Sequence, residues 1–330
     1  MQHLDVQVVE QALAWLNAGD TVWFCTVLAT FGSSPREPGS IMVARADGDY
    51  LGSLSGGCVE EDFLERVRRG EFRRRVTIER YGAGDQQTTG DFRPQVQLPC
   101  GGMLEVLVER LAPDDDNRRH IQALLAVMRG RQQKLRAVSL MDGRCTLRPT
   151  GSPGGDRVVL TDESAQVRVG PALRLIIAGL SSVARFCAEF AVALGYEVIV
   201  CEPRKELYRD FDLAGVRLEK TFPALFIGEA DNCHQQTAVV AMTHDPRIDD
   251  LAMMEAVKTE AFYIGVMGSR RTSDKRAARL LSTGGLSPAE LERIQMPIGL
   301  ALGSKTPAEI ALAVMADILR VQRGVERDAL

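Results

Sequence analysis

Residues 175–184 read Leu-Ile-Ile-Ala-Gly-Leu-Ser-Ser-Val-Ala, a short apolar run that ends at a glycine and leads into helical sequence. A second apolar run, Glu197–Cys201, follows that helix, and runs at Thr237–Met242 and Ala261–Gly265 repeat the pattern. Alternation of buried strands with helices is typical of a parallel sheet covered by helices. The sequence therefore predicts a Rossmann-like parallel-sheet domain over residues 174–330.

The turn after the first of these strands occupies the place of a dinucleotide-binding fingerprint. Gly179 and Ala184 match its first and third positions, but Ser181 stands where a second glycine would let the backbone approach a pyrophosphate. Glu202 follows the second strand, where a ribose-binding acid is expected. Gly179 and Ser181 are candidate cofactor-binding residues, and a Rossmann-like domain without tight dinucleotide binding is the alternative.

Two later segments follow strands of the same predicted sheet, at the edge where open α/β sheets bind ligands. Thr243–Arg247 places His244 beside Asp245, and a hydrogen-bonded structural histidine is the alternative there. The next segment opens a helix and predicts an anion site formed by Gly268, Ser269, Arg270 and Arg271. Arg279 and the other basic residues further along that helix are predicted to form a solvated face.

The N-terminal half carries two turns rich in glycine and serine. Residues 32–39 read Gly-Ser-Ser-Pro-Arg-Glu-Pro-Gly, and residues 52–61 read Gly-Ser-Leu-Ser-Gly-Gly-Cys-Val-Glu-Glu before a predicted helix. Glycine turns can aim N–H groups at a phosphate or carboxylate, and a helix N-terminus favours such an anion. The candidate binding residues are Ser33, Ser34, Arg36, Ser55, Gly56, Gly57 and Cys58. Glu60 and Glu61 are interpreted as ordinary partners of the helix dipole.

Seven dispersed cysteines without a CxxC pair indicate free thiols. Cys100 differs from most because it lies in the turn Cys100-Gly101-Gly102, and an open turn suits a thiol that binds a soft metal or sulfur. Cys100 is therefore a candidate metal ligand, and Gly101 and Gly102 are candidate binding residues. The other cysteines interpreted as inert apolar side chains are Cys25, Cys145, Cys187 and Cys201.

The 330 residues suffice for two domains, predicted as a mixed α+β domain over 1–150, a connecting segment over 151–173 and the Rossmann-like domain. The net charge of −4 argues against general nucleic-acid binding. No apolar run is long enough to span a bilayer, and the first residues lack the features of a signal peptide. We therefore expect a cytoplasmic α/β protein that binds neither nucleic acid nor membrane.

Together these motifs resemble the XdhC/CoxI family of accessory proteins for molybdenum hydroxylases, in order from about residue 22 to 320. The segments that carry the resemblance are Gly32–Arg36, Ser40–Val43, Ser55–Glu60, Cys100–Gly102, Thr243–Asp245, Tyr263–Gly265, Gly268–Arg271, Pro297–Leu300 and Gly303–Ser304. The opening segment and residues 59–65 look most like the PaoD branch, which serves a periplasmic aldehyde oxidoreductase. The chain departs from the family pattern at Ser181-Ser182, where many members have Gly-His.

The resemblance implies a chaperone without turnover of its own. Such a protein binds molybdenum cofactor, protects it during sulfuration and inserts it into an apo molybdenum hydroxylase of the xanthine dehydrogenase or aldehyde oxidoreductase type. The implied cargo is molybdopterin, in the PaoD branch its cytosine dinucleotide form, with its phosphate near Arg36 and its metal near Cys100. A cysteine desulfurase and a molybdenum-cofactor nucleotidyltransferase are implied as further partners, and a homodimer as the assembly.

Two other hypotheses remain open from the residues. An NAD(P)-dependent oxidoreductase would use Gly179 and Glu202, although Ser181 and the lack of a convincing proton-transfer pair count against it. A scaffold that bridges a hydroxylase and a sulfurtransferase without holding cofactor is the third.

Overall fold

In the computed structural model, residues 3–31, 36–57, 59–82, 102–150, 156–209 and 211–327 are described. The chain divides into two compact units, His3–Pro171 and Ala172–Leu330. The elements of the first unit are α1 (His3–Ala18), β1 (Val22–Phe31), β2 (Ile41–Arg45), β3 (Tyr50–Gly52), α2 (Glu60–Arg68), β4 (Val76–Gly82), β5 (Met103–Leu111), α3 (Asp115–Arg129), β6 (Lys134–Ser139), β7 (Cys145–Pro149), β8 (Val158–Leu160) and β9 (Ser164–Val169).

The first unit contains two antiparallel sheets. A five-stranded sheet has the order β3-β2-β1-β5-β4, and a four-stranded sheet has the order β7-β6-β9-β8. Phe63, Leu64 and Val67 of α2 pack with buried side chains of the five-stranded sheet. Strands β8 and β9 lie within the segment that the sequence predicted as a connection, because alternation over only three to six residues is a weak strand signal.

The second unit is built on a parallel sheet of six strands. Its elements are β10 (Arg174–Ala178), α4 (Ser182–Ala193), β11 (Glu197–Cys201), β12 (Val216–Glu219), α5 (Pro223–Gly228), β13 (Thr237–Ala241), α6 (Pro246–Ala256), β14 (Tyr263–Val266), α7 (Arg270–Ser282), α8 (Pro288–Glu292), β15 (Ile294–Gln295) and α9 (Pro307–Gln322). The strand order β12-β11-β10-β13-β14-β15 is the Rossmann order, with the first and fourth strands adjacent at the centre. The predicted α/β class with a C-terminal Rossmann-like domain is confirmed.

Helix layers on both faces explain the continuous apolar runs of the central strands. In β10, Leu175 and Ile177 pack into one apolar cluster, whereas Ile176 and Ala178 pack into the cluster on the opposite face. All of β13 is buried. A strand covered on both faces has no solvent side, so it needs no polar alternation. No helix among the described residues is long and apolar enough to cross a membrane.

Candidate functional site

A cavity of about 450 Å³ lies at the carboxyl ends of β13 and β14. Its apolar lining is formed by Val183, Met267, Ile298, Leu300, Ile310 and Ala313. Its polar side chains are His244, Ser269 and Ser304. The carboxyl ends of neighbouring parallel strands meet at one edge of the sheet, so residues far apart in sequence converge there. The structure thus brings the predicted residues His244, Gly268 and Ser269 together and adds the wall formed by residues 298–304.

His244 is held in a backbone conformation that side chains rarely adopt. Its φ is 67°, the only positive value among the non-glycine residues that the structure describes. Its backbone N–H donates to Oδ2 of Asp249 at 3.0 Å, and Thr243 donates to Oδ1 through its N–H and its hydroxyl, at 3.1 and 2.7 Å. Such strain costs about 1–3 kcal/mol and clusters at functional sites. The exposed His244 side chain at the cavity is therefore a candidate binding group.

A buried ion-pair cluster fixes this edge of the sheet from below. Arg276 is 2% exposed, and its guanidinium lies 3.3 Å from Asp249 and 2.8 Å from Asp250. It also donates to the carbonyl oxygen of Met267 at 3.0 Å, which ties α7 to the end of β14. Burial raises the pKa of Asp249, against the hydrogen bonds of Thr243 and the charge of Arg276. The cluster makes the cavity edge rigid.

The prediction of a solvated basic face along α7 is wrong at two positions. Arg276 is buried among acidic side chains, and Arg279 forms an ion pair with Asp250 at 2.6 Å. Arg270 and Arg271 differ because both are exposed at the first turn of the helix and have no ion-pair partner among the described residues. The Ser269 hydroxyl accepts from the N–H of Thr272 at 3.2 Å and so caps α7. Free cationic charge therefore stays at the start of α7, beside the cavity.

The predicted residues Gly179 and Ser181 lie at the neighbouring turn, outside the cavity lining. Gly179 has a φ of 83°, and a Cβ there would overlap with Cγ2 of Thr243. The Ser181 hydroxyl caps α4 by accepting from the N–H of Ala184 at 3.1 Å. Glu202, predicted as a ribose-binding acid, is fully buried and accepts from the N–H of Leu180 at 2.6 Å. These groups serve the turn itself.

In the first unit, the predicted turn of residues 53–57 closes around the carboxylate of Glu60. Oε1 of Glu60 accepts from the N–H groups of Leu54 and Ser55 at 2.8 and 3.0 Å. Oε2 accepts from the N–H groups of Gly57 and Val59 at 3.0 and 3.2 Å. The hydroxyls of Ser53 and Ser55 add bonds of 2.6 and 2.7 Å. The anion at this glycine turn is thus a side chain of the protein itself.

The interpretation of Glu60 as an ordinary dipole partner is wrong. Its side chain is 2% exposed, and burial alone would raise the pKa of the carboxyl. The hydroxyls of Ser53 and Ser55 and the N–H groups of Ser55 and Leu54 outweigh burial, so the pKa of Glu60 lies well below its usual range. Glu61, its neighbour, is exposed and fits the dipole interpretation. The N–H groups of Ser55 and Gly57 are therefore engaged within the chain.

The remaining candidates in the first unit are only partly placed. Ser33, Ser34, Cys58, Cys100 and Gly101 lie outside the described residues. Arg36 is half-buried, Gly102 is buried, and Gly56 is exposed. Among the described side chains, no group of three or more His, Cys, Asp or Glu residues could hold a metal ion. The metal-binding role of Cys100 stays a prediction.

Comparison with known proteins now identifies the family. A family model described as "XdhC and CoxI family" matches residues 15–82, and one described as "XdhC Rossmann domain" matches residues 175–318. The chain belongs to the XdhC and CoxI family. The two matches cover the turn around Glu60 in the first unit and nearly all of the parallel sheet in the second.

Full-length relatives of this XdhC and CoxI family member carry informative names. The chain is 28% identical over 326 residues to the molybdenum cofactor insertion chaperone PaoD of Escherichia coli (strain K12), covering 98% of this chain and 90% of that protein. It is 26% identical over 324 residues to a probable xanthine dehydrogenase component of Bacillus subtilis (strain 168), covering 91% and 93%. A crystal structure described as a xanthine dehydrogenase from Bacillus halodurans shares the fold, with a TM-score of 0.69, 22% identity, and coverage of 99% and 98%.

Sequence reasoning missed two groups in this XdhC and CoxI family protein. The wall Leu300–Ser304 was noticed only as a motif match, since a loop after a short strand carries no signal for a cavity. Glu60 was missed because its partners lie in a turn whose path only the fold defines. A signal was present, since two serines and two glycines precede Glu60 within seven residues and supply hydroxyl and N–H donors.

Proposed function

We propose that this protein binds molybdenum cofactor and inserts it into an apo molybdenum hydroxylase of the xanthine dehydrogenase or aldehyde oxidoreductase type. The observation that carries the proposal is the cavity that joins His244, Ser269 and residues 300–304 at the ligand-binding edge of the parallel sheet. The similarity to PaoD over 98% of the chain supports the same conclusion.

The chemistry of the cavity fits a pterin that carries a phosphate. Its volume of about 450 Å³ lies within the roughly 300–1,000 Å³ of small-molecule sites. Apolar side chains such as Met267, Ile298 and Leu300 suit the faces of a flat heterocycle. The exposed guanidinium groups of Arg270 and Arg271 and the N-terminus of α7 suit a phosphate group. His244 offers a ring nitrogen at the rim that can hydrogen-bond to polar edges of the ligand.

The N-terminal candidates remain part of the proposal. We propose that the Cys100 thiolate faces the molybdenum or its sulfur ligand, since thiolates are soft ligands. Ser33, Ser34, Arg36, Cys58, Gly101 and Gly102 are proposed to contact the cofactor on the strength of the family resemblance. The engaged donors around Glu60 restrict Ser55, Gly56 and Gly57 to contact through the exposed surface of the two glycines.

The proposed role is that of a cytoplasmic carrier and not of an enzyme. Protection during sulfuration, the cytosine dinucleotide form, a homodimer, and contacts with a cysteine desulfurase and a nucleotidyltransferase are the finer parts of the proposal. No observation favours the NAD(P)-dependent oxidoreductase, because the Glu202 carboxylate that would bind a ribose is buried and hydrogen-bonded within the turn. A scaffold without cofactor leaves the cavity without a role.

Reconstitution of a client tests the insertion step. Apo hydroxylase of the aldehyde oxidoreductase type is incubated anaerobically with sulfurated molybdenum cofactor, with and without this protein. We expect the protein to raise the recovered hydroxylase activity several-fold, since a carrier shields the cofactor from water and oxygen until the client binds it. Serum albumin at the same concentration is the control. Equal recovery with albumin and with this protein would reject the insertion role.

A further inference from the structure

Arg204 lies across the turn that follows the first strand of the parallel sheet. Its Nε and Nη2 donate to the Glu202 carboxylate at 2.8 and 2.7 Å, and its backbone N–H donates at 2.8 Å. Nη2 also donates to the carbonyl oxygen of Leu180 at 3.1 Å. The guanidinium thus connects the end of β11 with the turn between β10 and α4.

That position is where folds with this strand order bind a dinucleotide. The turn after the first strand approaches the pyrophosphate, and the acid after the second strand binds the ribose hydroxyls. Here the Glu202 side chain is 0% exposed, whereas the Arg204 side chain is 34% exposed. The guanidinium therefore separates the carboxylate from solvent and takes the hydrogen bonds that ribose hydroxyls would form.

We propose that Arg204 closes a latent dinucleotide site formed by the Gly179–Ser181 turn and Glu202. The backbone of the site is otherwise complete, since Gly179 keeps its positive φ of 83° and Leu180 aims its N–H at Glu202. The ligand class that Arg204 excludes is a nicotinamide adenine dinucleotide. This inference concerns a turn outside the cavity and does not rest on the proposed chaperone function.

Loss of the guanidinium leaves the carboxylate supported. Glu202 keeps the N–H groups of Leu180 and of residue 204 as donors, so removal of the side chain does not strip the buried charge of all its partners. Arg247 offers a matched control. It also follows its acid, Asp245, by two residues and binds both oxygens, at 3.0 and 2.8 Å, but its side chain is 88% exposed.

Titration with NADH, followed by its fluorescence and by calorimetry, tests the proposal on the full chain. We expect no saturable binding by the wild type up to about 1 mM, and at least tenfold tighter binding, about 1.4 kcal/mol, by Arg204→Gln. Arg204→Ala is measured in parallel, and thermal melting checks that each variant is folded. Adding Glu202→Gln to Arg204→Gln should remove the gain, because the ribose then loses its charged acceptor.

Three results would overturn the inference. The first is NADH binding by the wild type that is as tight as binding by Arg204→Gln. The second is the absence of any gain in folded Arg204→Gln and folded Arg204→Ala. The third is an equal gain in Arg247→Gln, which would assign the effect to net charge and not to the turn.

Discussion

Replacing Glu60 with Gln is expected to lower the free energy of unfolding of the first unit by about 3 kcal/mol at pH 7. Each oxygen of the carboxylate accepts at least three hydrogen bonds from the surrounding turn. A glutamine amide turns one acceptor into a donor, so N–H or O–H groups then face an NH2 group in a buried site. Thermal melting should show a fall in Tm of about 6–12 °C for a unit of this size.

The pH dependence of this difference has a definite sign. The folded-state pKa of Glu60 lies below its value in the unfolded chain, so its stabilising contribution is complete above the unfolded pKa of about 4.3. The contribution is lost as the pH falls from there toward the folded-state pKa, because the unfolded chain binds the proton first. The stability of the wild type should therefore approach that of Glu60→Gln between about pH 5 and about pH 3.

Glu61→Gln is the matched control, since it removes the same charge from the next residue of α2 at an exposed position. Its free energy of unfolding should stay within about 0.5 kcal/mol of the wild type. Equal destabilisation by the two substitutions would show that net charge or the helix dipole is responsible, and the account of the closed turn would fail.

Filling the cavity with Ala301→Trp is expected to weaken retention of molybdenum cofactor more than tenfold, by at least about 1.4 kcal/mol. Ala301 lines the cavity and is exposed, so an indole there occupies the space of the ligand without being forced into the core. Because no buried side chain has to move, Tm should change little. Gel filtration under anaerobic conditions, followed by assays of molybdenum and oxidised pterin, measures the retained cofactor.

Ala278→Trp provides the control for this variant. Ala278 is exposed on α7 of the same unit but does not line the cavity. Retention by Ala278→Trp should equal that of the wild type. If Ala301→Trp also retains cofactor like the wild type, the cavity is not where the cofactor binds, and the N-terminal residues become the remaining candidates.

The parallel sheet was predictable because its central strands are covered on both faces. Such strands are apolar throughout, and the runs at 175–178 and 237–242 therefore stand out from the polar sequence around them. Strand β12 and helix α5 lacked this signal, since β12 lies at the sheet edge with mixed polarity and α5 has only six residues. Edge and short elements depend on tertiary contacts that local patterns do not contain.

The candidate site was predictable in part for a topological reason. His244, Gly268 and Ser269 follow two strands of one parallel sheet, and the fold rule places the ends of such strands together. The partners of these residues were not predictable. Whether Arg276 is buried with Asp249 or solvated depends on how α6 and α7 pack, and the same holds for the buried carboxylates of Glu60 and Glu202.

The most direct test of the central claim is anaerobic binding of molybdenum cofactor to the purified full chain, with the mononucleotide and cytosine dinucleotide forms compared. We predict that the wild-type protein retains molybdenum and pterin near one equivalent per chain after gel filtration, and that the preferred form indicates the client. Retention of neither form by folded protein would contradict the account and leave the family fold without its proposed cargo.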